Sequence, residues 1–355
     1  MVLRGSQKTK QREGHSVRHQ LVGGRYRLLR RAGEGLSAHV HFAEDTHTRQ
    51  QVVVKQLTAE AASDSALTAR FMREVHAIAG IHHPNVVHIL DYGAPAYEQP
   101  YLVMEALAGE PLSALLQRSG NLSRELALFT ATQAASGLIA VHRQGTVHRD
   151  VKPDNLYLVG PVGKPTGLKV IDFGMAKLAD SRASIGDSRF VVGTLQYMPP
   201  EQVLADPVDA RADIYSLGIV MFRVLTGHLP FDVKGGLEML GHQLFSPIPP
   251  LDWLCDGADS RLSSIIIKAT QKHPHNRYQS MAAVLSDLQQ LEQSDDSSSA
   301  PQTECVVEPD EYVPVSKRGK ELAASLAQRF RSPPQISNSA AAPDSAKPFD
   351  LARKR

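Results

Sequence analysis

Residues 148–155 read His-Arg-Asp-Val-Lys-Pro-Asp-Asn, and Asp172-Phe173-Gly174 begins 17 residues after Asn155. A carboxylate (Asp150), a cation (Lys152) and a side-chain amide (Asn155) thus fall within six residues, with a second carboxylate close behind. Transfer of a phosphoryl group asks little covalent chemistry of a protein. It needs a group to accept a hydroxyl proton, ligands for Mg²⁺ and cations over the phosphates. All of these parts occur here in order. Another lysine, Lys55, ends the apolar run Val52-Val53-Val54-Lys55 and lies 95 residues before Asp150. A fold that uses both must close two separately built halves around one cleft.

The pattern along the chain supports two halves. Residues 1–23 form a basic, flexible arm in which Arg4, Lys8, Lys10, Arg12 and Arg18 face a single acid, Glu13. Globular patterning runs over 24–292, with a small lobe at 24–104, a hinge at 105–109 and a large lobe at 110–292. Tyr26–Arg31, Ala38–Glu44, Gln51–Leu57, His88–Tyr92 and Tyr101–Glu105 read as strands. Residues 66–80 place Leu67, Phe71, Val75 and Ile78 on one helical face. Helices are expected at 123–143, 209–226, 259–271 and 280–292. The expected class is therefore α+β: a small five-stranded antiparallel lobe with one helix, and a larger, mainly helical lobe. Residues 293–355 turn Ser-, Asp- and Ala-rich and read as a largely disordered tail, with a basic amphipathic stretch at 317–332.

Composition removes several classes. Lys and Arg number 39 against 37 Asp and Glu, too even a balance for a nucleic-acid binder. Cys255 and Cys305 lack metal-ligand spacing and argue for a reducing compartment. No apolar run approaches the ~18 residues of a membrane span, and the N-terminus lacks an apolar h-region. The expected setting is cytoplasmic.

Residues 148–155 and 172–174 resemble the catalytic and metal-binding loops of eukaryotic-type protein kinases. Pro200-Glu201-Gln202-Val203 and Asp209-Ala210-Arg211-Ala212-Asp213-Ile214-Tyr215-Ser216-Leu217-Gly218 are similar to the bacterial, Hanks-type serine/threonine branch. The resemblance covers about 24–292 and implies a two-lobed fold binding ATP and Mg²⁺ in the cleft. It implies Asp150 as catalytic base, Lys152 as neutraliser of the transferring phosphoryl group, and Asn155 and Asp172 as Mg²⁺ ligands. Lys55 is expected on the α/β-phosphates, pinned by Glu74. Gly33, Glu34 and Gly35 stand in the phosphate-covering loop, where Ala38 replaces the third glycine. Val40, Val53, Met104 and Leu156 are expected around the adenine, with backbone groups of Glu105 and Leu107 on its edge. Asp213 would anchor the catalytic loop, and Glu201 would form a buried pair with Arg277.

The substrates implied are proteins with serine or threonine acceptors, since Lys152 with Thr194 marks that branch. Arg149 before the catalytic aspartate implies activation by phosphorylation of the 175–200 loop, with Ser188 the expected site among Ser181, Ser184, Ser188 and Thr194, and a homodimer as one route to it. Two rivals remain open. A signalling scaffold without catalysis predicts damage at Lys55, Asp150 or Asp172, and all three are intact. A small-molecule phosphotransferase would not need Gly193–Glu201. His39 and His41 look like a metal pair, but on a strand they share a face opposite Val40 and so turn away from the cleft.

Overall fold

The computed structural model describes residues 21–173 and 195–295, apart from 36, 95–98, 232, 234–235 and 255–257. Its first part is a six-stranded antiparallel sheet in the order β1-β2-β3-β4-β6-β5. The strands are β1 (Leu21–Val22), β2 (Tyr26–Glu34), β3 (Ala38–Asp45), β4 (Gln51–Leu57), β5 (Ile89–Gly93) and β6 (Tyr101–Glu105). The two-residue β1 adds one strand to the five expected. Two residues are too short a run for alternation to reveal, and only pairing with Arg27 and Tyr26 defines them.

Register decides which residues meet. Val40 pairs with Lys55, and Val53 pairs with Met104. Paired residues share a face, as do residues two apart on one strand. Val40, Val53, Lys55 and Met104 therefore lie on one side of the sheet. The other side buries Val52 and Val54 with Tyr26, Leu28, Ala43, Tyr101 and Val103. His41 is on that second side, as the alternation predicted, and burial with the Arg31 and His39 charges lowers its pKa.

Two helices, not one, lie on the inner side: α1 (Ala59–Ser63) and α2 (Ser65–Ala79). Asp64 separates them. Its backbone is extended, and its Oδ1 accepts from the Ala66 and Leu67 N–H groups, starting α2 afresh. Phe71, Val75 and Ile78 are buried on α2 as their spacing predicted. They pack with Ala38, Leu57, Leu102 and Phe173, and with Val141 from the second lobe. This cluster ties the two lobes together behind the cleft.

The large lobe contains α3 (Leu112–Ser119), α4 (Arg124–Arg143), α5 (Pro200–Val203), α6 (Arg211–Thr226), α7 (Gly236–Phe245), α8 (Ser260–Ala269) and α9 (Met281–Asp295). A small sheet of β7 (Gly109–Pro111), β8 (Leu156–Val159) and β9 (Gly167–Val170) faces the cleft. α3, α5 and α7 were not anticipated; α3 and α5 are too short for a clear period, and α7 begins on Gly236 beside further glycine. α6 is buried nearly all round, and a Cβ on Gly218 would come within 2.6 Å of Thr270 Cγ2, so α6 and α8 touch backbone to side chain there.

The end of this lobe holds one buried cation and one half-buried one. Arg277 makes a bidentate pair with Glu201, Nη1 to Oε1 at 2.7 Å and Nη2 to Oε2 at 2.8 Å, as expected from the sequence. Lys272 lies beside the Tyr215 and Phe231 rings. Burial, helped by the Arg277 charge, pushes its ammonium down to about 7. An unfolded lysine titrates near 10.4. Between those values the unfolded chain binds more protons, so stability rises with pH, by at most about 1.4 kcal/mol per pH unit. Denaturant unfolding from pH 7 to 9 should show that rise, and Lys272→Met should flatten it.

Candidate active site

The catalytic loop hangs from a buried carboxylate. Asp213, in the first turn of α6, accepts from His142 Nε2 at 2.7 Å, from the His148 N–H at 2.8 Å and from the Arg149 N–H at 2.8 Å. Burial alone would raise its pKa, but these bonds and the neighbouring histidines outweigh it and hold the carboxyl below the usual range. The anchor matters because Arg149 has a φ of +66°, a left-handed conformation that a non-glycine residue keeps only when its surroundings impose it. His148 then joins the two motifs. Its Nδ1 accepts from the Asp150 N–H at 3.2 Å, and its Nε2 donates to Ile171 O at 3.1 Å. Its ring also packs on Phe173, with centroids 4.9 Å apart. His142 was missed in the sequence; its place six residues before His148 on a long helix carried no distinguishing signal.

A 3-10 turn at Pro153–Asn155 folds Asn155 back onto Asp150. Asn155 Nδ2 donates to Asp150 O at 2.8 Å and to Asp150 Oδ2 at 2.7 Å. Lys152 Nζ stands 3.4 Å from the same Oδ2. With its nitrogen committed, the side-chain oxygen of Asn155 is its atom able to bind a cation. The Ile171 N–H donates to Asn155 O at 2.9 Å, which sets Asp172 beside it. One carboxylate and one amide oxygen suit Mg²⁺, a hard ion that takes one or two protein ligands and completes its shell with water and phosphate.

On the nucleotide side, Lys55 forms its ion pair with Asp172. This departs from the expected Lys55–Glu74 pair. Glu74 instead accepts from Arg70 Nε at 3.1 Å. The reason is local geometry: residues four apart on a helix are neighbours, whereas Lys55 comes from a different element and meets Asp172 across the cleft. Among the described residues, Glu74 Oε2 is buried without a hydrogen-bond partner. Burial raises the Glu74 pKa, while Arg70, Arg149 and Lys55 oppose that rise, so Glu74 still senses the lysine.

Leu156, fully buried, opens β8 opposite Val170 and belongs to the core of the large lobe. At the hinge, the Glu105 N–H donates to His88 O at 3.1 Å, and the Glu105 carboxylate takes the His88 N–H at 2.7 Å and Lys169 Nζ at 2.8 Å. Gly33 pairs with Val40, and the Gly35 N–H donates to Ala38 O at 2.9 Å, closing the loop as a hairpin. Ala38 is 7% exposed and packs beside Leu57 and Phe173, so the methyl that replaces a glycine hydrogen fills core.

The Glu34 side chain, Gly193, Thr194 and the loop serines lie outside the described residues, as do the N-terminal arm to residue 20 and the 317–332 stretch. Among the described residues no helix is long and apolar enough to cross a membrane.

A two-lobed fold with this cleft defines a class, and comparison agrees. The model of the protein kinase domain matches residues 26–291, and the chain belongs to that family. It is similar to the serine/threonine-protein kinase Pkn1 of Myxococcus xanthus, 40% identical over 273 residues, covering 76% of this chain and 39% of that protein. It is also similar to PknB of Mycobacterium tuberculosis, 38% identical over 269 residues, covering 74% of this chain and 42% of that one. The chain thus spans about two fifths of the length of these curated relatives. The crystal structure of the M. tuberculosis PknI kinase domain superposes with a TM-score of 0.61 at 22% identity, over 78% of this chain and 99% of that one, and shares the fold.

Proposed function

We propose that this protein transfers the γ-phosphate of ATP to serine or threonine hydroxyls of other proteins. The observation that carries the reading is the joining of Asp150, Lys152 and Asn155 by hydrogen bonds and an ion pair, with Asp172 nearby in the chain and paired to Lys55. Asp150 would orient the acceptor hydroxyl and take its proton, and Lys152 would offset charge on the phosphoryl group. Asn155 and Asp172 would hold Mg²⁺, which neutralises charge on the phosphates. Lys55 would exchange Asp172 for the α/β-phosphates, and Glu74 would exchange Arg70 for Lys55. Autophosphorylation at Ser188 fits Arg149, whose Nε is buried without a partner among the described residues.

The test is incubation with labelled ATP, Mg²⁺ and a generic basic protein. Wild type is expected to label the protein, and Lys55→Met or chelation of Mg²⁺ should abolish labelling. Label on small molecules alone would replace this reading with that of a small-molecule phosphotransferase.

A further inference from the structure

Three consecutive carbonyls at 195–197 are held by side chains of the large lobe. Gln243 Nε2, near the end of α7, donates to Leu195 O at 3.1 Å and to Gln196 O at 2.7 Å. Ser216 Oγ, on α6, donates to Tyr197 O at 2.8 Å. Gln243 is fully buried, and its other end is fixed too: the Tyr215 hydroxyl donates to Gln243 Oε1 at 2.5 Å, and Lys272 Nζ donates to the Tyr215 oxygen at 2.9 Å.

This chain of bonds has only one polarity. Backbone carbonyls offer only lone pairs, so the amide must point its N–H groups at the loop, its oxygen must take the hydroxyl hydrogen of Tyr215, and the tyrosine oxygen is left to accept from Lys272. An apolar residue could fill the same space without burying a polar group. Gln243 instead satisfies three bonds, two of them directed at one stretch of backbone. That stretch borders the catalytic loop: Tyr197 feels the charge of Asp154, and the helix that follows holds the loop through Gln202 Nε2, which donates to Arg149 O at 3.2 Å. A polypeptide presenting a hydroxyl to Asp150 must lay its flanking residues along it.

We propose that Gln243, fixed by Tyr215 and Lys272, is a positioning residue that shapes the 195–197 backbone into the seat for the protein substrate. The proposal rests on the phosphotransfer reading and names the device that orders its acceptor site. Two measurements on the full chain test it. In Gln243→Met, amide exchange over 195–203 should accelerate relative to wild type. The KM for a protein substrate should rise about tenfold, the weight of one or two neutral hydrogen bonds, while the KM for ATP stays unchanged. Tyr215→Phe, which keeps the ring and removes the hydroxyl that links Lys272 to Gln243, should move both readouts the same way, which guards against a misfolded variant. Unchanged exchange over 195–203 would overturn the proposal whether or not the protein is active. So would faster exchange with an unchanged protein KM, or a parallel rise in the KM for ATP. Wild type that turns over ATP yet labels no protein would overturn the kinase reading and this inference with it, at a separate step of the same assay.

Discussion

Asp150→Asn is expected to lower phosphoryl transfer to protein by about 10²–10⁴-fold, the range for removing a positioned acid–base group. The substitution is nearly isosteric. An amide oxygen at this position can still accept from Asn155 Nδ2, which lies 2.7 Å from Asp150 Oδ2, and from Lys152 Nζ at 3.4 Å. The loop is anchored elsewhere, through Asp213, so folding should be unaffected. What is lost is the ability to take a proton and the negative charge that orients the hydroxyl. The effect should appear in kcat with little change in the KM for ATP, since the proposed function has Asp150 meet the acceptor and not the nucleotide. Steady-state kinetics beside a thermal melt measure both. A kcat within twofold of wild type would remove Asp150 from the role of base.

Arg277→Ala is expected to cost about 3–5 kcal/mol of stability, a large part of the ~5–15 kcal/mol that holds a typical domain folded. Arg277 is 3% exposed. Besides its two bonds to Glu201, it donates to Gln271 O at 2.7 Å, Arg211 O at 2.9 Å and Lys272 O at 3.0 Å. Truncation leaves the buried Glu201 carboxylate uncompensated and strands three carbonyls. Activity should fall only as the protein unfolds, because Arg277 touches no catalytic side chain. The double variant Glu201→Ala/Arg277→Ala should be less destabilised than the sum of the single ones, since each single change leaves an unpaired charge. Urea unfolding of the four proteins closes the cycle. A loss below about 1 kcal/mol for Arg277→Ala would indicate a pair weighing no more than an exposed one.

The small lobe was largely legible in advance because strand residues alternate with period two. Once Val52 and Val54 are assigned inward, Val53 and Lys55 follow on the other face, and pairing adds Val40 and Met104. α2 was legible for the same kind of reason, through the spacing of Phe71, Val75 and Ile78. Less legible were elements defined by neighbours: β1 exists only as a partner of β2, and the break between α1 and α2 depends on the Asp64 side chain turning back to cap a new helix. Ala38 read as a departure from the expected glycine pattern, and only its position beside Phe173 shows what the methyl fills.

The sequence by itself determined the chemistry available to this protein. Asp150, Lys152, Asn155 and Asp172 lie within 23 residues, and short-range turns bring the first three together almost without help. Tertiary structure alone decided the pairings across the cleft: Lys55 with Asp172, Glu74 with Arg70, and Gln243 with the backbone at Leu195 and Gln196. Strand faces and helix stripes follow from the repeat of the backbone, which a sequence carries explicitly. An ion pair or a buried amide clamp depends on distances of a few ångströms between elements remote in the chain, and those distances exist only once the lobes have packed.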